Sequence, residues 1–228
     1  LRPLTDKELA LIDPARLCIA LGPLAVYLIV IGLVNLARRP FVTTGSRDLL
    51  ALGVGLSGFA VIGPIELLTS TSVVIALGPV YWALVLGLYA SGWVLLTMYV
   101  RPRLVVYNAS EEELAPALEQ AARQLDPQAH WAGQTLLLPA WQAQLTLEPF
   151  SVMCNVSVVG VGEVPAPAFW RQLELALRQQ LAERRVVPNS YGLGMVILAV
   201  GMLIVMGYQW LNDSQTVTRN LLDMLGMG

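Results

Sequence analysis

A single histidine, a single lysine and two cysteines are all that this chain of 228 residues holds of those three types. With only His130, a multi-histidine metal site is excluded, and no second histidine exists to pair with a Ser or Cys nucleophile. Cys18 falls in an apolar run and Cys154 in a polar segment, so both read as free thiols and a disulfide framework is excluded. Charge is scarce too: 13% of residues are Asp, Glu, Lys or Arg, against about 25% in a soluble domain. With a formal net charge of −2 and no cluster of Lys and Arg of the kind a phosphate-binding surface needs, nucleic acid is not an expected partner. The sequence points to no catalytic set, no metal and no cofactor.

What the chain does hold is hydrophobic residues, 56% of the total, with a mean hydropathy of +0.62. They are gathered in four runs, 17–36, 49–69, 73–99 and 191–211, each long enough to cross about 30 Å of hydrocarbon. The expected fold is an α-helical integral membrane protein with four transmembrane helices and one inserted small α+β domain. The segments are an N-terminal tail (1–16), helices one to three (17–100), the domain (101–188), helix four (189–211) and a C-terminal tail (212–228). In the last of these, Val217, Leu221, Met224 and Leu225 share a face suited to an interfacial helix. The first sixteen residues mix both signs of charge, unlike a signal peptide, so the first run reads as a retained helix.

Arginines set the orientation. Arg38, Arg39 and Arg47 follow the first run, Arg101 and Arg103 follow the third, and Arg184 and Arg185 precede the fourth. All face one side if the domain is cytoplasmic and both termini lie outside, as basic flanks require, although Arg16 sits against this scheme. Thirteen arginines to one lysine, with abundant Ala, Leu, Gly and Pro, fits a GC-rich bacterium and its inner membrane.

Within the runs, Ile19-Ala-Leu-Gly-Pro23 recurs as Ile75-Ala-Leu-Gly-Pro79, with a shorter echo at Ile62-Gly-Pro64. Pro23, Pro64 and Pro79 are candidate kinks, each removing a helix hydrogen bond. Gly53-Val-Gly55-Leu-Ser-Gly58 matches a dinucleotide-binding fingerprint by letter, but that motif works after a strand and at the start of a soluble helix, not within an apolar run. Small residues four apart instead make smooth faces for helix packing: Ala51 and Gly55, Gly53 and Ser57, then Ala83, Gly87 and Ser91, with Gly194 and Gly201 seven apart in the fourth run. Tyr81, Trp82, Trp93, Tyr99 and Trp210 serve as interfacial anchors.

The polar domain reads β-α-β-β-β-α with an antiparallel sheet and two helices. Strands are expected at 103–107, 135–138, 143–147 and 152–158. A capping box at Ser110 and Glu113 opens the first helix, Asp126-Pro127 stops it, and Pro165-Ala-Pro167 opens the second. His130 falls in a loop. Glu66 is the one acid inside an apolar run and marks a possible ion or polar path, against an interfacial carboxylate near Thr69-Ser-Thr-Ser72.

With no catalytic residues to read, the expected role is a non-catalytic accessory or scaffolding subunit of a larger bacterial membrane complex. Its partners are the lipid bilayer and other membrane subunits or further copies of itself. The alternative is a small oligomeric transporter or channel built on Glu66 and the Gly-Pro kinks.

Overall fold

The computed structural model describes residues 14–67, 76–150, 155–163 and 165–212. Among the described residues, four helices are long and apolar enough to cross a membrane: α1 (Pro14–Leu36), α2 (Gly45–Leu67), α3 (Pro79–Tyr99) and α6 (Tyr191–Asn212). The expected tail helix at 212–228, Cys154 and the side chains of Pro64, Glu66 and Pro79 lie outside the described residues. Two compact units emerge, one from the described residues of Leu1–Ile29, Leu52–Val94 and Val196–Gly228, the other from Val30–Ala51 and Leu95–Met195.

In the first unit, glycines let helices meet backbone to side chain. A Cβ placed on Gly58 would lie 2.1 Å from the Ile19 carbonyl oxygen, so α1 and α2 approach here at a distance only glycine permits. Gly55 lies against Tyr27 of α1 and Gly53 against the Trp93 ring of α3, where the Tyr89 hydroxyl also donates to the Gly53 carbonyl at 2.5 Å. Each glycine of the rejected fingerprint is therefore a helix contact. α1 in turn packs on α6 through Ala25, Ala199 and Met206.

The second unit holds a six-stranded, wholly antiparallel sheet in the order β1-β2-β6-β5-β4-β3. Its strands are β1 (Phe41–Thr44), β2 (Arg103–Tyr107), β3 (His130–Ala132), β4 (Thr135–Leu138), β5 (Ala143–Phe150) and β6 (Asn155–Val161). Helices α4 (Glu111–Leu125) and α5 (Pro167–Ala182) complete it. Alternation sends Val42, Leu104, Val106, Leu145, Val156 and Val158 into one core with Leu114, Leu118, Phe169, Leu173 and Leu177 of the helices. Gly160 lies beneath Trp170, where an added Cβ would come within 3.2 Å of the indole.

Two strands depart from the expected four-strand domain. β1 comes from the segment between the first two apolar runs and pairs with β2, Val42 facing Val106. The domain therefore extends beyond 101–188 and draws in the turn after α1. β1 is four residues long and pairs only with a strand some 60 residues on, so no neighbouring strand or turn signals it, although Phe-Val-Thr-Thr has the composition of a strand. β3 begins at His130 itself and turns back through Gly133, at φ +66°, to pair with β4.

Candidate functional site

The end of α1 is where the two ends of the domain meet. The last carbonyls of a helix lack intrahelical donors, and here donors from distant parts of the chain supply them. The Asn189 amide donates to the Asn35 carbonyl at 2.9 Å, the Val186 amide to the Arg38 carbonyl at 3.1 Å, and the Asn108 side-chain amide to the Ala37 carbonyl. Asn35 is 1% exposed, and its own Nδ2 donates back to the Ile31 carbonyl at 2.8 Å. A longer contact of 3.5 Å runs from Asn189 Nδ2 to Asn35 Oδ1.

Asn189 also caps α6, its Oδ1 accepting from the Tyr191 amide at 3.1 Å. One turn on, Gly192 sits so close that a Cβ would fall 2.7 Å from the Gly32 carbonyl oxygen and 2.9 Å from Asn35 Cβ. Asn108 ends β2 at φ +57°, a backbone region that asparagine tolerates better than most residues. Three buried asparagines thus fasten the strand that opens the domain and the segment that closes it to the last turn of α1.

A second fastening joins β1 and the start of α2 to α5. Glu174, 8% exposed, lies 3.1 Å from Arg47 and 2.6 Å from Arg178, and Arg178 donates to the Val42 carbonyl at 3.0 Å. On the opposite face of the sheet, the Tyr107 hydroxyl donates to Asp48 at 2.5 Å.

A cleft of about 540 Å³ opens beside the asparagine cluster, lined by Asn108, Glu111, Pro149, Val187 and Tyr191 among others. Its carboxylates belong to the first turn of α4, where Ser110 and Glu113 form the reciprocal capping box, so their negative charge already has a structural use. His130 is exposed and its Nδ1 lies 2.9 Å from the Gln128 carbonyl. Asp126 is buried and accepts from the Gln128 and Ala140 amides at 2.9 and 2.8 Å, which makes it a turn-forming carboxylate. Among the described residues no group of three or more His, Cys, Asp or Glu is placed to hold a metal ion.

The residues singled out from the sequence fall in different places. Gly53 and Gly55 are buried contacts, while Ser57 is half-buried and donates to the Val54 carbonyl at 2.7 Å. Gly58, the closest approach of all, escapes a search for small residues four apart. Ala83, Gly87 and Ser91 are exposed along one face of α3, and Gly194 and Gly201 are exposed on α6, with nothing within 4 Å of a Cβ at Gly87, Gly194 or Gly201. The α6 face that meets α1 is instead Gly192, Ala199 and Met206, offset from the expected pair but with the same spacing of seven. Pro23 lies inside a continuous α1. Pro79 is the first residue of α3 and follows Gly78, whose φ of +49° interrupts the helix between the helical residues 76–77 and α3. Pro64 and Glu66 fall in the last turn of α2.

These features define a class: membrane-length helices with a six-stranded α+β domain, five of whose strands lie between the third and fourth long helices and one between the first and second. Comparison with family models, curated proteins and solved structures finds no match.

Proposed function

We propose that this chain is a multi-pass membrane protein acting as a non-catalytic accessory or scaffolding subunit of a larger membrane complex, its domain docking partners in the cytoplasm of a bacterium. The observation that carries the reading is the stripe Ala83, Gly87 and Ser91, exposed on α3 beside the exposed Leu84 and Leu88. Lipid tails gain nothing from a smooth helix face, whereas another helix gains close backbone approach. In the same chain, glycines at 53, 55 and 58 are consumed by internal helix contacts. The stripe on α3 is left for a neighbour.

The asparagine cluster supports the same role. A domain whose two ends are both hydrogen-bonded to the end of α1 is held to that end, as a scaffold requires. The Arg flanks at 38, 39, 101, 184 and 185 support a cytoplasmic domain with both termini outside.

The test is gentle solubilisation of native membranes followed by sizing and mass spectrometry of the proteins that travel with the chain. Co-migrating membrane subunits lost on Gly87→Leu support the role. A lone chain, or partners indifferent to Gly87→Leu, refutes it.

A further inference from the structure

We infer that the junction of α1 with α5 is a binding site for the phosphate-bearing headgroup of an anionic lipid. The proposal rests on the four helices being membrane spans but not on the accessory role.

The site is made by two segments far apart in sequence. The hydrogen bond from the Val186 amide to the Arg38 carbonyl lays Arg38-Arg39 alongside Arg184-Arg185. Beside this bond lies a cavity of about 300 Å³ lined by Arg39, Pro40, Phe41, Val42, Arg178 and Leu181, with Ala182 at its edge. Val42 and Leu181 are buried and give it an apolar floor, while Arg39 supplies the uncompensated charge and Arg178 lines it as a guanidinium paired with Glu174.

The charge is available. Arg184 donates to the Glu113 carbonyl at 2.9 Å, and Arg178 is shared with Glu174 and Val42. Arg38, Arg39 and Arg185 are exposed and have no ion-pair partner among the described residues. Glu183 is the nearest acid in sequence, and Glu174 is occupied by Arg47 and Arg178. Arg184 is in contact with the acidic first turn of α4, so the uncompensated positive charge rests on Arg38, Arg39 and Arg185.

Position selects the ligand. Leu36 ends α1 and Arg39 follows three residues later, so the cavity begins where a spanning helix leaves the hydrocarbon and phosphates lie. Guanidinium pairs at that level match a lipid phosphate, with the apolar floor facing the glycerol and the first acyl carbons.

The experiment is native mass spectrometry of the full chain purified in dodecyl maltoside and offered phosphatidylglycerol and phosphatidylcholine together. Preferential retention of phosphatidylglycerol is expected. Arg39→Gln with Arg185→Gln is expected to lower that retention about 25-fold, about fivefold for each basic residue removed. Arg39→Lys with Arg185→Lys keeps the charge and retains most of the binding, and Arg123→Gln on α4 leaves it unchanged. Equal retention of the two lipids, or a Gln pair that binds like the parent, overturns the proposal. Displacement of the lipid by inorganic phosphate reassigns the site to a soluble phosphate, and displacement by a hexaglutamate peptide reassigns it to an acidic protein segment; either overturns the lipid assignment. Resistance of the chain to alkaline carbonate extraction tests membrane spanning separately, so a failure there is told apart from a failure of lipid selectivity.

Discussion

Asn189 reaches back 154 residues to Asn35, and through its backbone amide, 2.9 Å from the Asn35 carbonyl, closes the end of α1 as its side chain opens α6. One residue thus ends the polar domain, caps a membrane-length helix and satisfies a carbonyl of another. Asn189→Ala removes the cap and leaves buried polar groups short of partners. A loss of about 1–3 kcal/mol is expected, read as a lower thermal midpoint of the purified chain in detergent.

Glycine positions within one helix bundle divide sharply by what lies opposite them. Gly58→Ala drives a methyl into the backbone of α1 and is expected to cost about 3 kcal/mol or more. Gly22→Ala meets nothing within 4 Å and is expected to be neutral or to gain up to about 1 kcal/mol through helix propensity. Thermal unfolding of the two variants side by side checks the contrast.

Glu174 holds two arginines at once, and β1 depends on one of them. Glu174→Gln is expected to cost about 1–2 kcal/mol, the gain being limited by the exposure of both arginine side chains, 65% for Arg47 and 45% for Arg178. Breaking the surface pair between Glu119 and Arg123 by Arg123→Ala is expected to change stability by no more than about 0.5 kcal/mol. Chemical denaturation of both variants distinguishes a buried anchor from a solvated pair.

The fragment 101–188 lacks β1, so β2 becomes a sheet edge with Leu104, Val105, Val106 and Tyr107 uncovered on the pairing side. Expressed alone it is expected to self-associate. Appending 37–44 through a flexible linker is expected to restore a monomer, and light scattering of the two fragments reads the difference.

Legibility in the sequence followed the length of each signal. The four apolar runs and the alternations of β5 and β6 carry enough residues for their period to show, and the capping box at Ser110 and Glu113 announces α4 through local chemistry alone. β1 exists because β2, some 60 residues away, supplies its hydrogen bonds, and no local pattern reports that partner, while β3 is three residues of a tight hairpin with β4 and too short to show a period. The asparagine cluster is hidden for the same reason: nothing near Asn35 in sequence points to Asn108 or Asn189. Small-residue spacing identified faces suited to packing, but which face meets α1 and which stays open depends on the neighbour, as the contrast of Gly192 with Gly194 shows.

The account stands most directly on whether α3 has a neighbour. Mild extraction of native membranes, with sizing and mass spectrometry of parent and Gly87→Leu chains, is the measurement to make. The account predicts a stable assembly of this chain with other membrane subunits, disrupted by Gly87→Leu while the monomer keeps its thermal midpoint. A parent chain that runs alone, or only with copies of itself, would contradict it.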